Sequence, residues 1–99
     1  MPKELYRYIF SEEVPTEDIE SSVVLAIMAV ESLHGESQVR LDAAHYLYAP
    51  SRTCVIDAGT TVGRDLNRLF IGFIRREFGE DSFKVERPPF NPTPREAAA

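Results

Sequence analysis

Eight consecutive apolar residues, Val23 to Val30, lie within a stretch from Ser22 to His34 that is framed by Pro15-Thr16 upstream and Gly35 downstream. At about 100° per residue, Ile19, Val23, Ala26, Ile27, Val30 and Leu33 fall on one broad helical face. Val24, Leu25 and Met28 fall on the other side, beside Ser21, Glu31 and Ser32. A helix at the edge of a small domain is apolar along one stripe only, so one that is apolar nearly all round needs two burial partners. The first is the chain's own sheet; the second is a neighbouring element or another subunit. The run is well short of the about 20 residues that cross a bilayer.

A chain of 99 residues holds one hydrophobic core without staples. A formal net charge of −5 opposes nucleic acid and anionic membranes as partners, because neutralising phosphate needs a basic surface. Cys54 is the sole cysteine, which excludes a disulfide framework within the chain and a thiolate metal cluster. The opening Met1–Phe10 is too short and too polar for a secretory signal, so the expected location is cytoplasmic. No cofactor is expected.

Leu5–Phe10 reads as a strand in which Tyr6, Tyr8 and Phe10 alternate with Leu5, Arg7 and Ile9. After the turn Ser11–Pro15, Thr16 is a candidate N-cap, with Glu17, Asp18 and Glu20 at the positive end of the helix dipole. The helix ends near His34, where Gly35 suits the left-handed stop. Residues 38–48 read as a second strand and 53–58 as a third, joined by the turn chemistry of Ala49-Pro50-Ser51-Arg52. That hairpin sets Tyr48 opposite Thr53, Leu47 opposite Cys54, His45 opposite Ile56 and Ala44 opposite Asp57. Its core side then carries Val39, Leu41, Ala43, His45, Leu47, Cys54, Ile56 and Ala58. A second helix starts at Gly59-Thr60-Thr61 and stops near Phe78 at Gly79, with Val62, Leu66, Leu69, Phe70 and Phe73 as its core stripe. Residues 83–87 form a short fourth strand.

The layout is strand–helix–strand twice over, so the expected fold class is α+β, a βαββαβ ferredoxin-like plait spanning 1–87. Its sheet is a four-stranded antiparallel one with two helices on one face, in which the first and third strands are central and are taken to lie parallel to each other. Residues 88–99 read as a tail that is disordered or ordered by a partner. Burying Arg7 without a partner is costly, so Arg7 is assigned to the open face and Tyr6, Tyr8 and Phe10 to the helix side. The open face then gathers Arg7, Arg40, Asp42 and Asp57 among Leu5, Ile9, Tyr46, Tyr48 and Val55.

Several groupings carry possible chemistry. Val55-Ile56-Asp57-Ala58-Gly59-Thr60-Thr61 resembles the Asp-x-Gly-Thr-Thr phosphate loop of the actin, heat-shock chaperone and sugar-kinase ATPases. In those families the turn joins two strands inside a far larger domain, whereas here an amphipathic helix follows at once, and the match reads as coincidence. What remains is a helix N-terminus where Gly59, Thr60 and Thr61 could hold a small anion, against the plainer role of Thr60 or Thr61 as a cap. His45 beside Cys54 has the composition of a nucleophilic couple, but burial favours an inert thiol. His34 suits the C-terminal end of its helix. Asp42 and Asp57, near Arg7 and Arg40, suit ion pairing more than proton transfer. Arg64, Arg68 and Arg75 read as a solvated edge facing Glu20 and Glu31. Tyr46 and Tyr48 on an open sheet face mark a protein interface more often than a base-stacking platform.

Two apolar surfaces remain once the core is assigned: Val24, Leu25 and Met28 on the first helix, and Ile71, Ile74 and Phe78 on the second. The leading expectation is a non-catalytic interaction or regulatory module, a homodimer or a partner of another protein. The alternative is a small-ligand-binding or catalytic domain using Arg7, Arg40, Asp42, Tyr46 and Asp57.

Overall fold

The computed structural model describes residues 4–88; the expected tail falls almost wholly outside them. The elements run β1 (Leu5–Phe10), α1 (Thr16–His34), α2 (Glu36–Asp42), β2 (Ala44–Tyr48), β3 (Thr53–Asp57), α3 (Thr61–Phe78) and β4 (Phe83–Glu86), with short 3-10 turns at Ala49–Ser51 and Glu80–Ser82. The fold is α+β: a four-stranded sheet in the order β2-β3-β1-β4, antiparallel at every pairing, with three helices. The sheet is antiparallel as expected, and its central strands β1 and β3 follow suit and do not lie parallel to each other as the sequence suggested, with Arg7 opposite Val55 and Tyr8 opposite Cys54. The hairpin register is the expected one, from Ala44 opposite Asp57 to Tyr48 opposite Thr53. Arg52 closes the connection with a left-handed φ of 51°, and its guanidinium Nε donates to the Val14 carbonyl at 3.0 Å.

The expected second strand is half helix. Residues 38–42, assigned above to a strand, belong to α2, whose Glu, Gln, Arg and Leu favour helix over strand. Gly35, at φ 89°, ends α1 and starts α2. Arg40 pairs with Glu36 at 3.3 Å, and Gln38 Nε2 donates to the Asp42 carboxylate, both across one helical turn. Val39 is the residue of this helix that reaches the core, while Leu41, assigned there from alternation, is 79% exposed. At the other end of α1, Thr16 is the first helical residue and Pro15 holds the cap position.

The core lies between one face of the sheet and the helices. Tyr8 and Phe10 of β1 and Cys54 and Ile56 of β3 meet Ile19, Val23, Ala26 and Val30 of α1 and Val62, Leu66, Phe70 and Ile74 of α3. Tyr8 packs edge-on to Phe70, and Phe10 to Phe78, at centroid separations of 5.0 and 6.1 Å. The C-terminal end of α1 reaches the start of α3, where His34 Nε2 and Asp65 Oδ2 are 2.7 Å apart. The two long helices therefore run antiparallel, and their dipole ends of opposite sign adjoin.

Candidate functional site

The open face of the sheet is built in rows by the strand register. Glu86, Arg7, Val55 and Tyr46 form one row, and Lys84, Ile9, Thr53 and Tyr48 the next. Arg7 Nη1 donates to Glu86 Oε1 at 2.8 Å across the β1–β4 pairing, so its charge is spent on a neighbour. Asp57 sits at the end of β3, where its carboxylate accepts the Gly59 amide at 2.9 Å. Tyr46 and Tyr48 stack on each other with centroids 6.4 Å apart. Of the five residues proposed for a ligand site, Arg7, Tyr46 and Asp57 thus share this face. Arg40 and Asp42 do not: the helical start of their segment puts them on α2.

The clefts here are shallow. One of about 170 Å³ is lined by Leu5, Ala44, His45, Tyr46, Val55 and Asp57, and one of about 250 Å³ lies by Ile9, Ser11, Ser82 and Phe83. Small-molecule sites usually offer roughly 300–1,000 Å³.

The N-terminal end of α3 is partly satisfied from within. Thr60 Oγ1 accepts the Gly63 amide at 2.9 Å and donates to the Asp42 carbonyl at 2.8 Å, and the Ala58 amide donates to the Glu4 carbonyl at 2.7 Å. Thr60 is the helix cap. With the Gly59 amide on Asp57, the proposed anion cradle of Gly59, Thr60 and Thr61 has two of its donors occupied. Cys54 is fully buried, and burial pushes its thiol up to about 12. His45 is exposed on the outer strand and lies opposite Ile56, so no Cys–His couple forms. Arg75 pairs with Glu80 at 3.3 Å, an acid of its own helix end and not of α1.

The apolar surfaces divide. Ile74 is fully buried, and Ile71 and Phe78 pack half-buried against the core. That proposed interface is consumed internally, because the buried stripe of α3 runs Val62, Leu66, Phe70, Ile74 at a spacing of four and is wider than the sequence suggested. On α1 the outcome is the reverse: Val24, Leu25 and Met28 are 53%, 54% and 56% exposed.

Two polar contacts were missed by sequence reasoning. The Tyr8 hydroxyl donates to Asn67 Oδ1 inside the core, and burial pushes its ionisation above the ordinary tyrosine range. Asn67, a lone amide inside the apolar stripe of α3, was the available signal. The His34–Asp65 contact had none, since the two are far apart in sequence.

Neither a protein-family model, nor a curated protein, nor a solved structure matches this chain. Fold and surface together define a two-layer α+β domain with one sheet face uncovered among the described residues and an apolar patch on its first helix. Among the described residues no helix is long and apolar enough to cross a membrane.

Proposed function

We propose that this protein is a non-catalytic interaction or regulatory module that self-associates through the outer face of α1. The observation that carries the reading is the exposure of Val24, Leu25 and Met28, each more than half open to solvent. Val24 and Met28 are one turn apart and Leu25 sits three residues before Met28, so the three form one patch. Ser21 and Ser32 extend it without charge. Single exposed apolar residues are ordinary, but a contiguous group marks an association surface. The dispersal of Arg7, Arg40, Asp42 and Asp57 between a sheet face and a helix supports binding over catalysis.

The antiparallel order β2-β3-β1-β4, with α1 and α3 as crossovers, supports a ferredoxin-like plait that carries α2 as an extra turn of chain before β2. A cytoplasmic setting suits a chain whose sole cysteine is buried and unpaired.

Sedimentation equilibrium at low and high micromolar protein tests the reading. A dimer that Met28→Glu converts to a folded monomer supports it; a wild-type monomer throughout overturns it.

A further inference from the structure

The two edges of the sheet are unlike. β4 carries Lys84 and Glu86 and runs into Arg87-Pro88, the charges and proline by which proteins protect an edge from pairing. β2 has no such charges: from Ala43 to Pro50 the chain reads AAHYLYAP, with no Lys, Arg, Asp or Glu, and its proline lies beyond the strand just as Pro88 does for β4. Among the described residues its one neighbour is β3, so alternate backbone N–H and C=O groups along its outer side face away from the sheet.

The same side of the molecule carries α1. A cleft of about 180 Å³ is lined by Ile27 and Glu31 of α1, Val39 and Arg40 of α2, Ala43, and His45 of β2. The bare strand and the Ile27–Glu31 flank of α1 therefore share this cleft, and the exposed Val24 and Met28 adjoin Ile27 on the helix surface.

We infer that a second copy of this chain pairs with β2 edge to edge, antiparallel about a two-fold axis at Tyr46. The two sheets then join into one, with the α1 helices side by side above the seam. This rests on the self-association proposed above and gives it a geometry. A second copy fits for three reasons. In this register Tyr46 meets its own copy, His45 meets Leu47, and Ala44 meets Tyr48, so the small Ala44 lies opposite the Tyr48 ring and the central pair is aromatic. The uncharged strand sets no like charges against each other, although the protein is acidic overall, and the cleft rim carries one acid and one base, Glu31 and Arg40. Five paired residues bury too little for the roughly 1,200 Å² of a stable interface, and the α1 flank, brought alongside by the same axis, supplies further area.

The test compares wild type, Met28→Glu and Tyr46→Lys by sedimentation equilibrium, with amide hydrogen exchange of the wild type at low and high concentration. Tyr46 is 61% exposed, so lysine there leaves the core untouched while placing two like charges opposite each other at the axis. The expected result is a wild-type dimer that each variant weakens by at least about tenfold, with exchange at residues 44–48 slowed as concentration rises. A dimer that Met28→Glu breaks but Tyr46→Lys leaves intact, without protection of 44–48, overturns the edge pairing and leaves self-association standing. A monomeric wild type overturns both.

Discussion

Gly63 lies against the backbone carbonyl of Asp57, so close that a Cβ at Gly63 would overlap the carbonyl oxygen. The contact sets the first turn of α3 onto the end of β3, and the Gly63 amide is the one that Thr60 caps. Inside a helix, alanine is ordinarily favoured over glycine by about 1 kcal/mol. Here the obstacle is backbone, which has no rotamer to give, and overpacking of this kind costs about 1–3 kcal/mol. Gly63→Ala is expected to lower stability in urea unfolding, whereas Gly72→Ala, with open space at its Cβ, is expected to raise it slightly.

Tyr8→Phe keeps the edge-on packing with Phe70 but removes the donor to Asn67. A buried acceptor left alone costs about 1–3 kcal/mol, and a denaturant titration should read that loss. Replacing both partners, Tyr8→Phe with Asn67→Leu, should recover part of it, since no polar atom is then stranded.

Cys54 should be nearly inert to iodoacetamide in the native protein and react at least about a hundredfold faster in denaturant, because attack requires the thiolate and access to it. A free thiol titrates at about 8.5, and the folded value is raised to about 12. The stability that Cys54 contributes is therefore fully present below about pH 8.5 and is lost as pH rises toward the folded value, by at most about 1.4 kcal/mol per pH unit. Melting temperature should fall between pH 8 and pH 10.5, and fall less in Cys54→Ala. Tyr8, raised by burial in the same direction, adds to the decline only above about pH 10.

β1, the hairpin and α3 were legible because each pairs an unambiguous period with distinct turn chemistry. Aromatic alternation ended by an acidic turn has one reading, as does a helical stripe between Thr60 and Gly79. Residues 38–42 were not legible for a definite reason. Val39, Leu41 and Ala43 alternate as a strand would, yet Glu36 with Arg40 and Gln38 with Asp42 sit at helical spacing. So short a window satisfies both periods, and the left-handed Gly35 that lets one helix follow another serves equally well as a simple stop. The outer face of α1 could be read from the chain, since eight apolar residues exceed what one stripe can hide. The β2 edge could not, because an edge exists only once the strand order is known.

Leu41 and Ile74 test this account most sharply, since sequence patterning placed the first in the core and the second on a surface, and the fold reverses them. Ile74 is fully buried and Leu41 is 79% exposed. Truncating a buried isoleucine removes its transfer free energy and leaves a cavity, together about 2–5 kcal/mol, so Ile74→Ala should shift the urea midpoint strongly. Leu41→Ala deletes a side chain already in water and should stay within about 0.5 kcal/mol of wild type. A strand over residues 38–48 would instead put Leu41 in the core and make its truncation cost as much as a buried leucine's. The Leu41→Ala midpoint therefore discriminates between a helical and an extended approach to β2, and the Ile74→Ala midpoint checks the wider buried stripe of α3.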